Sequence, residues 1–182
     1  MVAGRDKGTL TSAWVPISSM DVDLPFKLIA VADLAGHEDR AWHVAWNAKK
    51  PLLASCSADK TVRLYSYTNN EFQHITTIPT GHAKTVRAVA WSPSGESIAT
   101  ASFDANIGVW EQETEDGGEG QWECVCTLEG HETECKSVAY SYNGNYLASC
   151  SRDKTVWIWQ GNEFIASNSV SSLLPSPSRW RV

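Results

Sequence analysis

The stretch 150–159, CSRDKTVWIW, is the third copy of one pattern in this chain. The earlier copies are CSADKTVRLY at 56–65 and ASFDANIGVW at 101–110. Each copy keeps a serine, an aspartate and a closing aromatic residue, while the residue before the aspartate changes from Ala58 to Phe103 to Arg152. The constant positions indicate a repeated structural unit, and the variable position indicates a residue that the fold leaves free.

A Gly-His dipeptide precedes each copy, at 36–37, 81–82 and 130–131. The aspartate follows the histidine by 22 residues in all three copies, and the aromatic residue follows the aspartate by six. Because both intervals recur three times, the chain is built of internal repeats. The second and third Gly-His pairs are four residues further apart than the first and second, and an acidic, glycine-rich stretch, ETEDGGEGQW, accommodates the difference as a loop.

Within each repeat, apolar and polar residues alternate with a period of two, which is typical of β-strands. The predicted strands are 41–46, 52–57, 61–65 and 71–78; 86–91, 97–102, 106–110 and 122–128; and 135–140, 146–151 and 155–159, with 163–167 as a candidate outer strand. Turn-forming residues such as Asn143-Gly144 separate the first and second strands. The sequence therefore predicts an all-β fold of three four-stranded antiparallel repeats.

Composition narrows the functional classes. Nine tryptophans and five tyrosines against two methionines favour strands. The net charge of −6 argues against a general nucleic-acid binder, which needs clustered cations, and no apolar run reaches the length of a membrane span. The five cysteines are odd in number and lie in strand-like segments, which indicates reduced thiols in a cytosolic or nuclear protein.

The Gly-His start and the closing aromatic, at this repeat length, resemble the WD40 repeat of β-propellers. That resemblance implies a structural hydrogen-bond chain in each blade, because a buried histidine and a buried aspartate are tolerated only when they satisfy each other. The corresponding residues are His37, Ser55, Asp59 and Tyr65; His82, Thr100, Asp104 and Trp110; and His131, Ser149, Asp153 and Trp159. Tyr65 departs from the tryptophan of the family, so we expect the first blade to hold its chain differently.

Over residues 26–159 the chain is similar to a narrower group, the WD40-repeat subunits of the cytosolic iron–sulfur protein assembly (CIA) machinery. The runs that carry this resemblance are VRAVAWSPSGESIATASFDANIGVWE, WECVCTLEGHETECKSVAYS and NGNYLASCSRDKTVWIW. It implies a scaffold without catalytic activity or cofactor, which joins a small carrier subunit and a HEAT-repeat subunit. Such a complex delivers iron–sulfur clusters to apoproteins of the cytoplasm and nucleus. The alternatives are another WD40 adaptor, such as a ubiquitin-ligase or signalling scaffold, and a truncated product with little activity.

The resemblance also implies a site. Arg152 matches the arginine of the Ser-Arg-Asp-Lys turn, a functional surface position in that group, where a planar guanidinium can bind a partner carboxylate. Its alternative is a solvated turn charge. Phe103 holds the same turn position and is either an aromatic anchor for a partner or a packed turn residue. Cys124 and Cys126 lack further ligands at metal spacing and are interpreted as strand filling, so no metal site is predicted.

The predicted organisation has three parts. Residues 1–25 form an unstructured extension, residues 26–160 form three blades, and residues 161–182 form a Ser/Pro-rich tail off the repeat pattern. Residues 26–34 are expected to supply the outer strand of a closing blade. Because a closed propeller needs roughly four to eight blades, we interpret the chain as the first three blades of an incomplete seven-bladed ring, from a truncated gene product. Uncovered blade faces then predict oligomerisation or aggregation.

Overall fold

The structure is a computed structural model that describes residues 28–113 and 120–160 and the backbone of 178–181. The chain divides into two compact units, Met1–Asp33 and Leu34–Val182. In the first unit, residues 28–33 have no regular secondary structure. Throughout the described part, no helix has the length and apolar character needed to cross a membrane.

The described residues of the second unit form twelve strands in three antiparallel four-stranded sheets, and within each sheet the strands pair in chain order. The first blade consists of β1 Ala41–Trp46, β2 Leu52–Ser57, β3 Thr61–Thr68 and β4 Glu71–Pro79. The second consists of β5 Val86–Trp91, β6 Ser97–Ser102, β7 Ile107–Gln112 and β8 Trp122–Leu128. The third consists of β9 Cys135–Tyr140, β10 Tyr146–Ser151, β11 Thr155–Gln160 and β12 Ser178–Arg181. The predicted all-β fold of three four-stranded blades is confirmed.

The C-terminal end of the repeat region differs from the prediction. Ser178–Arg181 lies in the predicted tail, yet it pairs with β11 from Thr155↔Arg181 to Ile158↔Ser178. The exposed edge of β11 offers unpaired backbone groups, and this segment satisfies them. The candidate outer strand 163–167 and the predicted extension 1–25 lie outside the described residues. Residues 26–34 are expected to supply the outer strand of a closing blade that this chain lacks. The described residues 28–34 have no strand partner, and the expectation stays a prediction.

Each blade packs on the next through one face of its sheet. We call the face of a blade that is turned toward the following blade its forward face, and the opposite face its rear face. Between blades 1 and 2, the forward face contributes Ala54, Cys56, Val62 and Leu64, and the rear face contributes Val89, Trp91, Ile98 and Trp110. Between blades 2 and 3, Ala99, Ala101 and Ile107 pack with Val138, Leu147, Trp157 and Trp159.

The constant aspartate shapes the turn between the second and third strands of every blade. The residue after it adopts a left-handed conformation, with φ of 70°, 79° and 69° at Lys60, Ala105 and Lys154. An Oδ1 atom of the aspartate accepts the backbone N–H two residues later, at 2.9 Å for Asp59 and Thr61. This side-chain bond to the backbone offsets the strain of a left-handed non-glycine residue.

Candidate functional site

The repeated polar residues form the same internal link in all three blades. His37 Nδ1 lies 2.8 Å from Asp59 Oδ2, and His37 Nε2 lies 2.7 Å from Ser55 Oγ. The corresponding distances are 3.0 and 2.9 Å in blade 2, where His82 contacts Asp104 and Thr100. In blade 3 they are 2.9 and 2.8 Å, where His131 contacts Asp153 and Ser149. Each link joins the loop before a blade to its second strand and its turn.

The closing aromatic residue extends the link in two of the three blades. Trp110 Nε1 donates to Thr100 Oγ1 at 2.9 Å, and Trp159 Nε1 donates to Ser149 Oγ at 2.9 Å. With Nδ1–H donating to the aspartate, histidine Nε2 accepts the hydroxyl proton, so donors and acceptors alternate along the chain. Tyr65 makes a different contact, because its hydroxyl accepts from Arg63 Nε at 3.1 Å. In the first blade, Arg63 instead connects Tyr65 to the Gly36 carbonyl oxygen, which Nη1 contacts at 3.0 Å.

The aspartates of these links are held as carboxylates. Burial alone would raise the pKa of Asp59, but hydrogen bonds from Thr61, His37 and the Glu38 backbone lower it to about 2. The pKa values of Asp104 and Asp153 are also lowered, because donors from the neighbouring histidine and turn outweigh the effect of burial. A carboxylate whose oxygens accept several structural hydrogen bonds stabilises the fold and is poorly suited to exchange protons with a substrate.

The variable turn residue has a common position on the rim of each blade. The backbone N–H groups of Ala58, Phe103 and Arg152 donate to the carbonyl groups of Arg40, Thr85 and Glu134, at 2.9, 2.9 and 3.0 Å. Each acceptor immediately precedes the innermost strand of its blade. The turn and the start of the innermost strand are thereby joined, and their side chains share one end of the blade stack.

Arg152 extends into solvent, with 71% of its side chain exposed. Its Nη1 lies 3.2 Å from Glu134 Oε1, and Glu134 has a lowered pKa because of its own backbone N–H and the Arg152 and Lys136 charges. A guanidinium has five N–H donors in a fixed plane, so one contact with Glu134 leaves donors for a second carboxylate. Glu134 thus orients the arginine without occupying its donor set.

Phe103 is half-buried and contacts the innermost strands of the two flanking blades. Lys136 Nζ of blade 3 lies 3.9 Å from the centre of its ring. Trp42 of blade 1 also packs near this ring, with ring centroids 6.4 Å apart. Arg87 in turn lies over Trp42, 5.0 Å from the ring centre. Cation–π contacts of this kind keep the aromatic faces and the cations side by side.

We call Trp42, Arg87, Phe103, Lys136 and Arg152 the rim patch. Two of its members, Phe103 and Arg152, were candidates from the sequence, and the structure connects them through Lys136 and Glu134. The sequence analysis missed Trp42, Arg87 and Lys136. These three hold the second position of the innermost strand in successive blades, so alignment of the repeats was the signal that could have found them.

The remaining candidates for chemistry are the cysteines Cys124 and Cys126, possible metal ligands, and a groove lined by His43. Cys124 Sγ lies 3.4 Å from the Cys126 carbonyl oxygen, and burial raises the pKa of Cys126. Within residues 28–113 and 120–160, no cluster of three or more His, Cys, Asp or Glu side chains could hold a metal ion. An open groove of about 630 Å³ runs along the innermost strands, and His43 on its wall lies 3.1 Å from the Val89 carbonyl oxygen.

Comparison with known proteins gives two results. The WD domain, G-beta repeat family matches residues 27–66, 72–111 and 122–160. The chain is 48% identical over 138 residues to "Probable cytosolic iron-sulfur protein assembly protein 1" of Mycosarcoma maydis, which covers 55% of this chain and 30% of that protein. It is 47% identical over 113 residues to "Protein CIA1" of Arabidopsis thaliana, covering 57% of this chain and 31% of that protein. The chain thus spans about a third of these relatives.

Proposed function

Since this chain belongs to the WD40-repeat family, we propose that it acts as a non-catalytic scaffold in cytosolic iron–sulfur protein assembly and binds its protein partners through the rim patch. Relatives named for this process are 48% identical to it over 138 residues and 40% identical over 146 residues. They are longer than this chain, so the activity of the whole relative is part of the proposal. The proposed location is the cytosol, and presence in the nucleus remains a prediction.

The chemistry of the blades favours binding over catalysis. The histidine, aspartate and hydroxyl groups of each repeat bond to one another, and in the described residues every fully buried side-chain nitrogen or oxygen has a partner. Groups committed in this way stabilise the fold. The rim patch differs because its guanidinium, ammonium and aromatic groups lie at the surface, where such residues form the energetic centre of many protein interfaces.

The observation that supports the proposal is the exposed Arg152, which Glu134 orients, together with Lys136, which acts on the same carboxylate and lies over the Phe103 ring. Its fork of donors suits a carboxylate, and the neighbouring ring suits an apolar group. The proposed partners are the small carrier subunit, the HEAT-repeat subunit and apo iron–sulfur client proteins. The cluster itself is the cargo of these partners, and the proposal gives this chain no cluster ligand.

The test is affinity purification of the tagged chain from cells, with wild type beside Arg152→Glu. We expect wild type to recover the carrier and HEAT-repeat subunits, and the charge reversal to reduce recovery of at least one of them tenfold or more, since a buried charge pair at an interface is worth about 2–5 kcal/mol. Lys60→Glu is the matched control, because Lys60 lies exposed in the corresponding turn of blade 1 and the change in net charge is the same.

Two outcomes contradict the proposal. Equal recovery by wild type, Arg152→Glu and Lys60→Glu removes Arg152 from the binding surface. Recovery of cullin-type or signalling subunits in place of the assembly subunits favours a different WD40 adaptor. Circular dichroism of each purified variant checks that the blades remain folded, so that loss of binding is not loss of structure.

A further inference from the structure

Within residues 28–113 and 120–160, the two outermost faces of the blade stack repeat an interface already present between the blades. The forward face of blade 3 carries Ala148, Cys150, Val156 and Ile158. The forward face of blade 1 carries Ala54, Cys56, Val62 and Leu64 at the same strand positions. Three of the four residues are identical, and the fourth exchanges leucine for isoleucine. Blade 3 therefore presents the surface on which blade 1 seats its neighbour.

The rear face of blade 1 shows the complementary match. It carries Val44, Trp46, Leu53 and Tyr65, where the rear face of blade 2 carries Val89, Trp91, Ile98 and Trp110. Valine and tryptophan of the innermost strand are identical between the two. Tyr65 is buried within its own blade against Arg63 and His74, so Val44, Trp46 and Leu53 remain to make the contact.

Exposure differs sharply between the internal and the terminal copies of this interface. Val89 and Trp91 are 0% and 8% exposed, whereas Val44 and Trp46 are 57% and 56% exposed. On the opposite face, Cys56 is fully buried and Cys150 is half-buried. Adjoining apolar side chains exposed in this way favour association, because burial removes their surface from water.

The hydrogen bond that joins blades 1 and 2 could also form between two copies of the chain. Trp91 Nε1 of blade 2 donates across the interface to the Ala45 carbonyl oxygen of blade 1, at 3.1 Å. Trp46 holds the position of Trp91, and Ala139 of blade 3 holds the position of Ala45. The indole donor and the carbonyl acceptor needed for the same bond are thus present on the two terminal faces, and this bond would fix the register of their packing.

We propose that two copies of this 182-residue chain associate head to tail, with the forward face of blade 3 in one copy against the rear face of blade 1 in the other. A heterologous contact of this kind closes into a ring when its rotation permits. Two copies supply six blades, which lies within the range of roughly four to eight blades that closed propellers have. Each interface between the two copies then pairs the same types of residue as the internal one, at the rotation that a six-bladed ring requires.

The first measurement is the mass of the purified full chain by light scattering across a hundredfold range of concentration. We expect a dimer of two 20.0 kDa chains that dissociates on dilution. Trp46→Glu changes the rear face of blade 1, and Ile158→Lys changes the forward face of blade 3. Each variant alone is expected to raise the dissociation constant at least tenfold, since both interfaces of its ring contain the substitution.

Mixing the two variants tests the head-to-tail arrangement. In a mixed dimer, one interface joins two unaltered faces and the other joins two substituted faces of opposite charge, so we expect the mixture to regain the dimer. Val125→Glu is the matched control, because Val125 is 45% exposed on the outer strand of blade 2, away from both faces. Val44→Glu repeats the test on the rear face if Trp46→Glu does not fold, because it also places an acidic side chain opposite Ile158→Lys.

Thiol labelling gives an independent readout without any substitution. Cys150 lies on the forward face of blade 3, and Cys124 is exposed on β8. The rate of modification of Cys150 is expected to fall at least fivefold as the dimer forms, while that of Cys124 stays constant. A monomer at all concentrations, a dimer unaffected by the face variants, growth into longer filaments, or a Cys150 rate independent of concentration would each overturn the closed head-to-tail dimer.

Discussion

At the scale of single residues, each histidine of the Gly-His pairs links a hydroxyl group to an aspartate, and the aspartate also binds the turn that follows. The three copies have the same geometry to within 0.2 Å in the histidine–aspartate distance, which runs from 2.8 to 3.0 Å. Their differences lie at the far end of the link, where blades 2 and 3 use an indole and blade 1 uses a tyrosine with Arg63.

The indole bond gives one prediction. Trp110→Phe removes the donor to the buried Thr100 hydroxyl and is expected to lower the free energy of unfolding by about 1–3 kcal/mol. Tyr65→Phe is the control at the corresponding position, and it is expected to lose about 0.5 kcal/mol, because its hydroxyl contacts only the partly exposed Arg63. Urea titrations followed by far-ultraviolet circular dichroism compare the two. Equal losses of unfolding free energy in the two variants would show that the indole hydrogen bond does not contribute to stability.

The lowered pKa of Asp59 gives a second prediction. Its pKa in the fold is about 2 against an ordinary 3.8, so folding favours the carboxylate. The stability contributed by this carboxylate is fully present above pH 3.8 and is lost as the pH falls toward 2. We expect Asp59→Asn to be less stable than wild type at pH 7 and to lose less stability on acidification. Parallel loss in the two proteins, measured by urea titration at each pH, would contradict this.

At the scale of the blade, one position in the third strand distinguishes the repeats. Arg63, Gly108 and Trp157 occupy it in blades 1, 2 and 3. Trp157 stacks on Trp159 with ring centroids 5.1 Å apart, and its ring leaves no space for a Cβ on Gly130. Gly81 precedes His82 in blade 2 and has no neighbour within 4 Å of a built Cβ. The glycine before the histidine is thus required for different reasons in different blades.

This difference gives a third prediction. Gly130→Ala forces its methyl group against the Trp157 ring and is expected to cost about 1–3 kcal/mol of stability by overpacking. Gly81→Ala meets open space, but its φ of +66° makes the backbone unfavourable by about 1 kcal/mol. In a Trp157→Ala background we expect the penalty of Gly130→Ala to shrink while that of Gly81→Ala persists. A double-mutant cycle, with the free energy of unfolding measured by urea titration, checks this. A Gly130→Ala penalty that is the same in the wild-type and Trp157→Ala backgrounds would refute the steric origin.

At the scale of the whole molecule, small residues on the forward face of one blade pack against large residues on the rear face of the next. Ala54 and Cys56 leave room for Trp91 and Trp110 of the next blade. Because the pattern is directional, the stack has one forward and one rear face at its ends. The proposed dimer uses both of these faces. The rim patch lies elsewhere, along the edge of the blades that carries the turns between the second and third strands, and stays accessible to a partner.

Association through the end faces gives a prediction about thermal stability. If the folded chain dimerises, its Tm rises with concentration, by roughly 3 °C for each tenfold increase. The Tm of Trp46→Glu is expected to begin rising only at a concentration at least about tenfold higher, since the substitution weakens binding through the rear face of blade 1. Differential scanning calorimetry at several concentrations measures both proteins. A concentration-independent Tm for wild type would argue against the dimer.

The sequence alone was enough to predict the three blades and most strand bounds, and it named the histidine, hydroxyl and aspartate residues that lie within hydrogen-bond distance in each blade. Tyr65, named with them, contacts Arg63 instead. These features depend on a period of two along the strands and on partners at most 24 residues apart, as between His37 and Thr61. They are therefore encoded within one repeat, and three copies of the same spacing made them visible.

Packing between blades decided the rest. Trp42, Arg87 and Lys136 are far apart in the chain, and only the side-by-side arrangement of the innermost strands brings them to Phe103 and Arg152. The half-burial of Phe103 and the pairing of Ser178–Arg181 with β11 likewise depend on segments of other blades or distant parts of the chain. Periodicity within a repeat carries no information about such contacts, because they are fixed by how whole sheets stack and by which strand edge remains open.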